Sequence, residues 1–140
     1  GSATNDSSNL LDSLRTAWLM QCFYAKERGG APSPYELFKI AAPGGAKILG
    51  CEELGSLEPG KGADLFLVDA GGLEFSGALH DPKNFLAHVG VTGPVWLTMV
   101  NGKVVYREGR LSGVDEPALA EKAEAVCGRV IRSQFPSIYL

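Results

Sequence analysis

Apolar residues along this chain repeat first with a helical period, then with a strand period, and then with a helical period again. From Leu10 to Glu27 the stripe Leu10, Leu11, Leu14, Trp18 and Cys22 predicts a helix. Asn9, with Asp12 three residues on, has the form of an N-cap and an acidic first turn; Asp6 and Ser8 are alternative caps. Ala17, Leu19, Met20, Phe23 and Tyr24 spread apolar surface around most of the same helix, so burial on several sides is expected. A chain of 140 residues can hardly supply that many layers, which points to a partner chain or an absent upstream segment.

Ser33-Pro34-Tyr35-Glu36 opens a second helix with three agreeing signals: Ser as N-cap, Pro at the first helical position, and Glu closing a capping box. Leu37, Ile40 and Ala41 form its expected inner face, and Pro43 should break it. Gly44 to Leu49 reads as a further helical piece ended by Gly50. A buried strand follows at Ala63 to Asp69, and a short helix, capped by Asp81, at about Pro82 to His88.

In PVWLTMVNGKVVYREGRL, from Pro94 to Leu111, Asn101-Gly102 separates two runs of β-branched and aromatic residues, which predicts a two-residue hairpin turn. The register then sets Val100 against Lys103, Met99 against Val104, Leu97 against Tyr106 and Val95 against Glu108. Both faces of this hairpin carry apolar side chains, so cover on two sides is expected. Asp115 caps a last helix with Pro117 in its first turn and an apolar stripe of Leu119, Ala123, Val126, Cys127, Val130 and Ile131. Its charged residues, among them Glu121, Lys122 and Arg129, read as a solvated face.

Thirteen Lys and Arg against sixteen Asp and Glu leave a net charge of −3, which offers no case for nucleic acid or an anionic membrane as a partner. Cys22, Cys51 and Cys127 are odd in number and far apart, which suggests reduced, mostly buried thiols in a cytoplasmic protein. The uncharged stretch of the first helix, Thr16 to Ala25, is half of what a membrane span needs.

Residue chemistry is sparse. Gly55 to Gly62, GSLEPGKG, nearly matches a phosphate-binding loop, but Gly62 supplies no hydroxyl and Pro59 no amide. A strand follows it, and not the helix whose N-terminus would face phosphates. A type II turn centred on Pro59 and Gly60 is the expected structure. His80 and His88 are eight apart, without the spacing of a metal pair. The one polar cluster, Ser2, Thr4, Asn5 and Asp6, either caps the first helix or lines a ligand pocket.

The start GSATNDSSNLL resembles the segment after the eighth barrel strand in zinc-dependent aminohydrolases of the amidohydrolase superfamily. The likeness is to the branch holding 8-oxoguanine, guanine and isoxanthopterin deaminases and triazine chlorohydrolases. SPYELFKIAAPGGAKILG, LGSLEPGKGADLFLVD, the HDP at His80 and WLTMVNGKVVYREGRL continue it in register, so it covers essentially the whole chain.

The resemblance implies an α+β fragment: the last helices of a (β/α)8 barrel plus part of the adjoining β-sandwich of a metal-dependent amidohydrolase. Residues 1–50 would be the helical C-terminal end of the barrel domain. Residues 51–140 would be the β-sandwich portion, with the hairpin at 94–111 and the C-terminal helix at 115–135, which would cover the outside.

The complete enzyme would use zinc or another divalent metal on a purine, pterin or triazine. Its ligands would lie upstream, the last being an Asp expected just before Gly1, so no metal and no catalytic residue is expected in this chain alone. Asn5 and Asp6, with Ser2 and Thr4, would stand at the rim of the substrate pocket. The expected partners are the small heterocyclic substrate, the missing N-terminal segment or another chain, and further copies in a homo-oligomer. A reading from a different class is a non-catalytic α+β binding or interaction module.

Overall fold

A computed structural model of the chain describes residues 9–28 and 30–134, with the backbone alone at 26–28. Helix α1 runs Leu10–Arg28. Asn9 caps it, its Oδ1 accepting from the Leu11 amide at 3.1 Å. Helix α2, Pro34–Lys39, begins with the reciprocal capping box of Ser33 and Glu36 that its sequence calls for.

Pro43 does not break the helical path. The backbone widens into a single π turn, Ile40–Gly44, and resumes as α3, Gly45–Leu49. Proline has no N–H to give and its ring crowds the carbonyl four residues back; a wider turn relieves that conflict without a break. Gly50 then ends α3 in the left-handed conformation, and the Gly50 and Cys51 amides bond back to the Lys47 and Ala46 carbonyls. Ile40, expected inside, is 68% exposed, because the inner face of this stretch follows Leu37 and Ala41 instead.

The turn centred on Pro59 and Gly60 forms as expected, closed by the Lys61 amide on the Glu58 carbonyl with Gly60 at φ +89°. It leads into strand β1, Leu65–Leu67. Two 3-10 turns, Leu73–Phe75 and Ala78–His80, precede α4, Phe85–His88, which is shorter than the expected helix. Asp81 acts at its start through its carbonyl, which accepts from the Asn84 and Phe85 amides. Its carboxylate takes the Asn84 amide, whose own oxygen accepts from the Tyr35 N–H at 3.0 Å, tying α4 to the start of α2.

Strands β2, Leu97–Val100, β3, Lys103–Arg107, and β4, Arg110–Leu111, complete an antiparallel sheet in the order β1-β2-β3-β4. Asn101 and Gly102 both have positive φ, as the two-residue turn requires. Asp64 Oδ1 accepts from the Asn101 amide at 2.6 Å and pins the turn to the β1 side. The register holds for Val100 with Lys103 and Met99 with Val104, then slips. Thr98 pairs with Tyr106 and Leu97 with Arg107, so a bulge at Val105 replaces the expected pairing of Leu97 with Tyr106. A second tight turn, Glu108-Gly109, also with positive φ at both residues, leads into β4.

One cluster forms the core: Leu11 and Leu14 of α1, Leu37 of α2, Phe75, Ala87 of α4, and Val91. Phe66, Val68 and Val95 bring the sheet onto it, and Phe75 meets Phe85 edge to face at 5.8 Å. Large apolar surface is left outside. On α1, Phe23 is 75% exposed and Leu19 46%. Leu10, counted in the expected inner stripe, is also exposed.

Helix α5, Glu116–Gln134, is capped by Asp115 as expected, yet none of its residues is buried. Among the described residues little covers its stripe, with Leu119 at 55% and Val126 at 47% exposure. The sheet likewise lacks cover on two sides, since Trp96 and Val100 are exposed. Cys22 and Cys51 are half-buried and Cys127 is exposed, all three free, where mostly buried thiols were expected.

Gly102 has φ +75° with open space around a would-be Cβ, whereas Gly93 has open space and no positive φ. Gly102→Val should therefore lose about 1–2 kcal/mol and Gly93→Val little. Denaturant midpoints measure the difference, and equal midpoints would count against the turn.

Candidate functional site

Two hollows lie between the sheet and the stretch that leaves α4, and Asn9, at the start of α1, reaches one of them. One of about 450 Å³ and one of about 550 Å³ share a wall made by Thr92, Gly93, Pro94, Val95 and Tyr106. Asn9 lines the larger one. The bulge at Val105 matters here, because it moves Tyr106 to the side of Thr98, and both line that hollow. The smaller hollow carries three carboxylates, Asp69, Glu74 and Glu108. Asp69 is engaged locally, accepting from the Gly71 amide at 2.9 Å.

These walls offer shape and a few polar atoms, but no nucleophile paired with a base. Among the described residues, no three of His, Cys, Asp or Glu gather where they could hold a metal ion. His88 lies with its ring 4.5 Å from that of Trp18, while His80 is exposed at the end of a 3-10 turn. Among the described residues, no helix is long and apolar enough to cross a membrane.

Ser2, Thr4, Asn5 and Asp6, the candidate pocket-rim residues, lie outside the described residues. What is described is the residue they lead to. Asn9 uses both ends of its side-chain amide: Oδ1 caps α1, and Nδ2 donates to the Val91 carbonyl at 3.2 Å. Spacing in the sequence signals the cap but not the second bond, which joins positions 82 apart.

The segment that resembled a phosphate-binding loop is engaged with itself. Lys61 Nζ donates to Ser56 Oγ at 2.6 Å and lies 3.5 Å from Glu58 Oε1. The Ser56 hydroxyl and then the Lys61 ammonium hold the fully exposed Glu58 carboxyl below its usual range. A depressed carboxylate pKa adds stability above the unfolded-state value, and that contribution is lost as pH falls through the folded-state one. Ser56→Ala and Lys61→Met should each raise the Glu58 pKa toward the ordinary value. The Lys61 part should also shrink in high salt, both read by carboxyl carbon chemical shifts during an acid titration. Unchanged titration in both variants would refute this local network.

Comparison with known proteins agrees with the fold. The model of the amidohydrolase family matches residues 1–105. Hydroxydechloroatrazine ethylaminohydrolase of Pseudomonas sp. (strain ADP) is 48% identical over 132 residues, covering 94% of this chain and 27% of that enzyme. The 8-oxoguanine deaminase of Pseudomonas aeruginosa is 35% identical, covering 94% of this chain and 28% of its own length. The crystal structure of atrazine chlorohydrolase from Arthrobacter aurescens TC1 complexed with zinc superposes with a TM-score of 0.79 at 34% identity, over 89% of this chain and 28% of that one. This chain thus spans between a quarter and a third of the relatives it matches. With three quarters of its residues inside the family model and an α+β architecture shared with solved members, the chain belongs to the amidohydrolase family.

Proposed function

We propose that this chain is the C-terminal portion of a metal-dependent aminohydrolase that hydrolyses a C–N bond at a ring carbon of a purine, pterin or triazine, or displaces a halide there. The observation that carries the reading is the 48% identity to a triazine aminohydrolase along nearly the whole chain. In this reading, residues 1–50 are the last helical part of the barrel domain. Residues 51–140 belong to the adjoining β-sandwich, with the hairpin at 94–111 and the helix at 115–135. The bare faces of α1, α5 and the sheet support it, since each is an apolar surface left largely uncovered by the described residues. Upstream segments of the same polypeptide would supply that cover, and further copies in a cytoplasmic homo-oligomer whatever remains.

Ser2, Thr4, Asn5 and Asp6 would contact the substrate from the loop that enters α1. Barrel enzymes build their sites from the loops between strand ends and the helices that follow, and these four residues run into the N-terminus of such a helix. Zinc or another divalent metal would supply a water acidic enough to attack at neutral pH. Among the described residues no set fits such an ion, and no step of the reaction is assigned to this chain's side chains. What the chain would contribute is the substrate loop and part of the scaffold that carries it.

The complete polypeptide, extended upstream to the length of its relatives, should contain stoichiometric zinc and release ammonia from at least one heterocycle in a purine, pterin and triazine panel. The 140 residues alone should do neither. Metal analysis and an ammonia assay decide it, and stoichiometric zinc with turnover by the chain alone would sink the reading.

Phe23→Glu gives an independent check. In the chain alone the side chain is 75% exposed, so the charge should leave folding intact and reduce self-association in light scattering. In the complete polypeptide the same charge should cost at least the roughly 1.5–3 kcal/mol of burying a large apolar side chain. A complete polypeptide indifferent to Phe23→Glu would mean that this face is not buried there.

A further inference from the structure

We propose that Asn101 is a site of spontaneous deamidation, and that the bonds from residues 63–64 to its turn set how fast it reacts; the inference stands apart from the aminohydrolase reading. The step joins two groups that the turn already makes neighbours. The Gly102 nitrogen gives up its proton to solvent base and attacks Cγ of Asn101. A C–N bond forms, the bond from Cγ to Nδ2 breaks, and ammonia leaves a cyclic succinimide behind. Water then opens that ring at either carbonyl, giving aspartate or isoaspartate, and nothing is oxidised or reduced.

The structure shows both what permits the step and what restrains it. Asn101 and Gly102 are exposed, and among the described residues nothing lies within 4 Å of where a Cβ on Gly102 would stand. A glycine there leaves its nitrogen free of side-chain hindrance. Restraint comes from the segment before β1. A two-residue turn closed by Val100 and Lys103 gives the amides of its two central residues no partner within the hairpin. Here both are taken. The Asn101 amide donates to Asp64 Oδ1 at 2.6 Å and the Gly102 amide to the Ala63 carbonyl at 3.1 Å. The second bond holds the proton that the reaction must remove and keeps the nitrogen off Cγ. The ring closes only when the turn has lifted away from residues 63–64.

The two products differ in what they do to the sheet. Aspartate before glycine still suits this turn, whereas isoaspartate adds a methylene to the main chain and spoils the register that the turn fixes. Peptide mapping of the complete polypeptide, aged at mildly alkaline pH, measures conversion at Asn101, and enzymatic methylation reads the isoaspartate. A synthetic peptide spanning residues 97–107 is the unrestrained reference. With two ordinary hydrogen bonds to open first, the native chain should react about tenfold or more slower than that peptide.

Asp64→Ala removes one bond and loosens the other, so conversion at Asn101 and hydrogen exchange of the Gly102 amide should both rise severalfold. Asp64→Asn keeps a side-chain oxygen that accepts from the Asn101 amide, and should stay near the wild type in both. Conversion in the native chain at the rate of the peptide would overturn the proposal, whatever the variants do. So would an Asp64→Ala chain that folds and reacts no faster. Asp64→Asn reacting as fast as Asp64→Ala would assign the restraint to the Asp64 charge and overturn the part given to the bond. If Asp64→Ala fails to fold, the comparison of native chain with peptide decides.

Discussion

The contact on which the other elements depend is the seating of α1 on α4 and on the stretch that ends at Val91. Leu11 and Leu14 meet Ala87, Val91 and Phe75 in the one buried cluster, and Leu37 joins α2 to it. Among the described residues, Phe66, Val68 and Val95 bring the sheet to that cluster. Removing the α1 face would strip this cluster of two of its six buried side chains. The residues of this contact come from the start of the sequence and from its middle, so it forms only when segments about sixty to eighty residues apart meet. Polar fastenings lie at its edges: Asn9 to Val91, and Asn84 to both Tyr35 and Asp81. Such bonds contribute about 1 kcal/mol each, so their use is in setting position more than in holding the fold.

Features fixed by a single residue's conformational needs were legible from the sequence. Asn101-Gly102, Pro59-Gly60, Gly50 and the Ser33–Glu36 box all stand where their chemistry requires. Features decided by competition between weak preferences were not. In the hairpin, Val104, Val105 and Tyr106 are all apolar, so a one-residue slip leaves no charge on the wrong side until Arg107. Alternation therefore placed no strong penalty on the bulge, and the sheet took it. Pro43 was legible as a disturbance but not as a π turn, because the outcome depends on whether the following residues keep their helical contacts. The Glu108-Gly109 turn was hidden by its first residue, since Glu is a poor signal for positive φ. At the candidate site the cap at Asn9 could be read locally, and its tie to Val91 could not.

The apolar faces show how conditional this fold is. The core holds only a few large side chains, and Phe23, Leu19, Leu119 and Val126 lie at or above 46% exposure. Each is of a kind worth roughly 1.5–3 kcal/mol when fully buried. The chain thus leaves unrealised roughly half of the burial energy open to these four residues, while Leu11, Leu14, Leu37 and Phe75 gain nearly all of theirs. Self-sufficient domains of this length do not distribute apolar surface that way.

The faces left bare are also different in kind. On α1 they continue around a helix whose inner side is already buried, and on α5 they form a stripe with the helix exposed all along it. The first calls for a layer on the far side of α1 and the second for a surface under α5, so one partner helix could not satisfy both. A polypeptide that wraps the chain on two sides meets that demand, and the amidohydrolase relatives, of which this chain spans less than a third, have the length to do it.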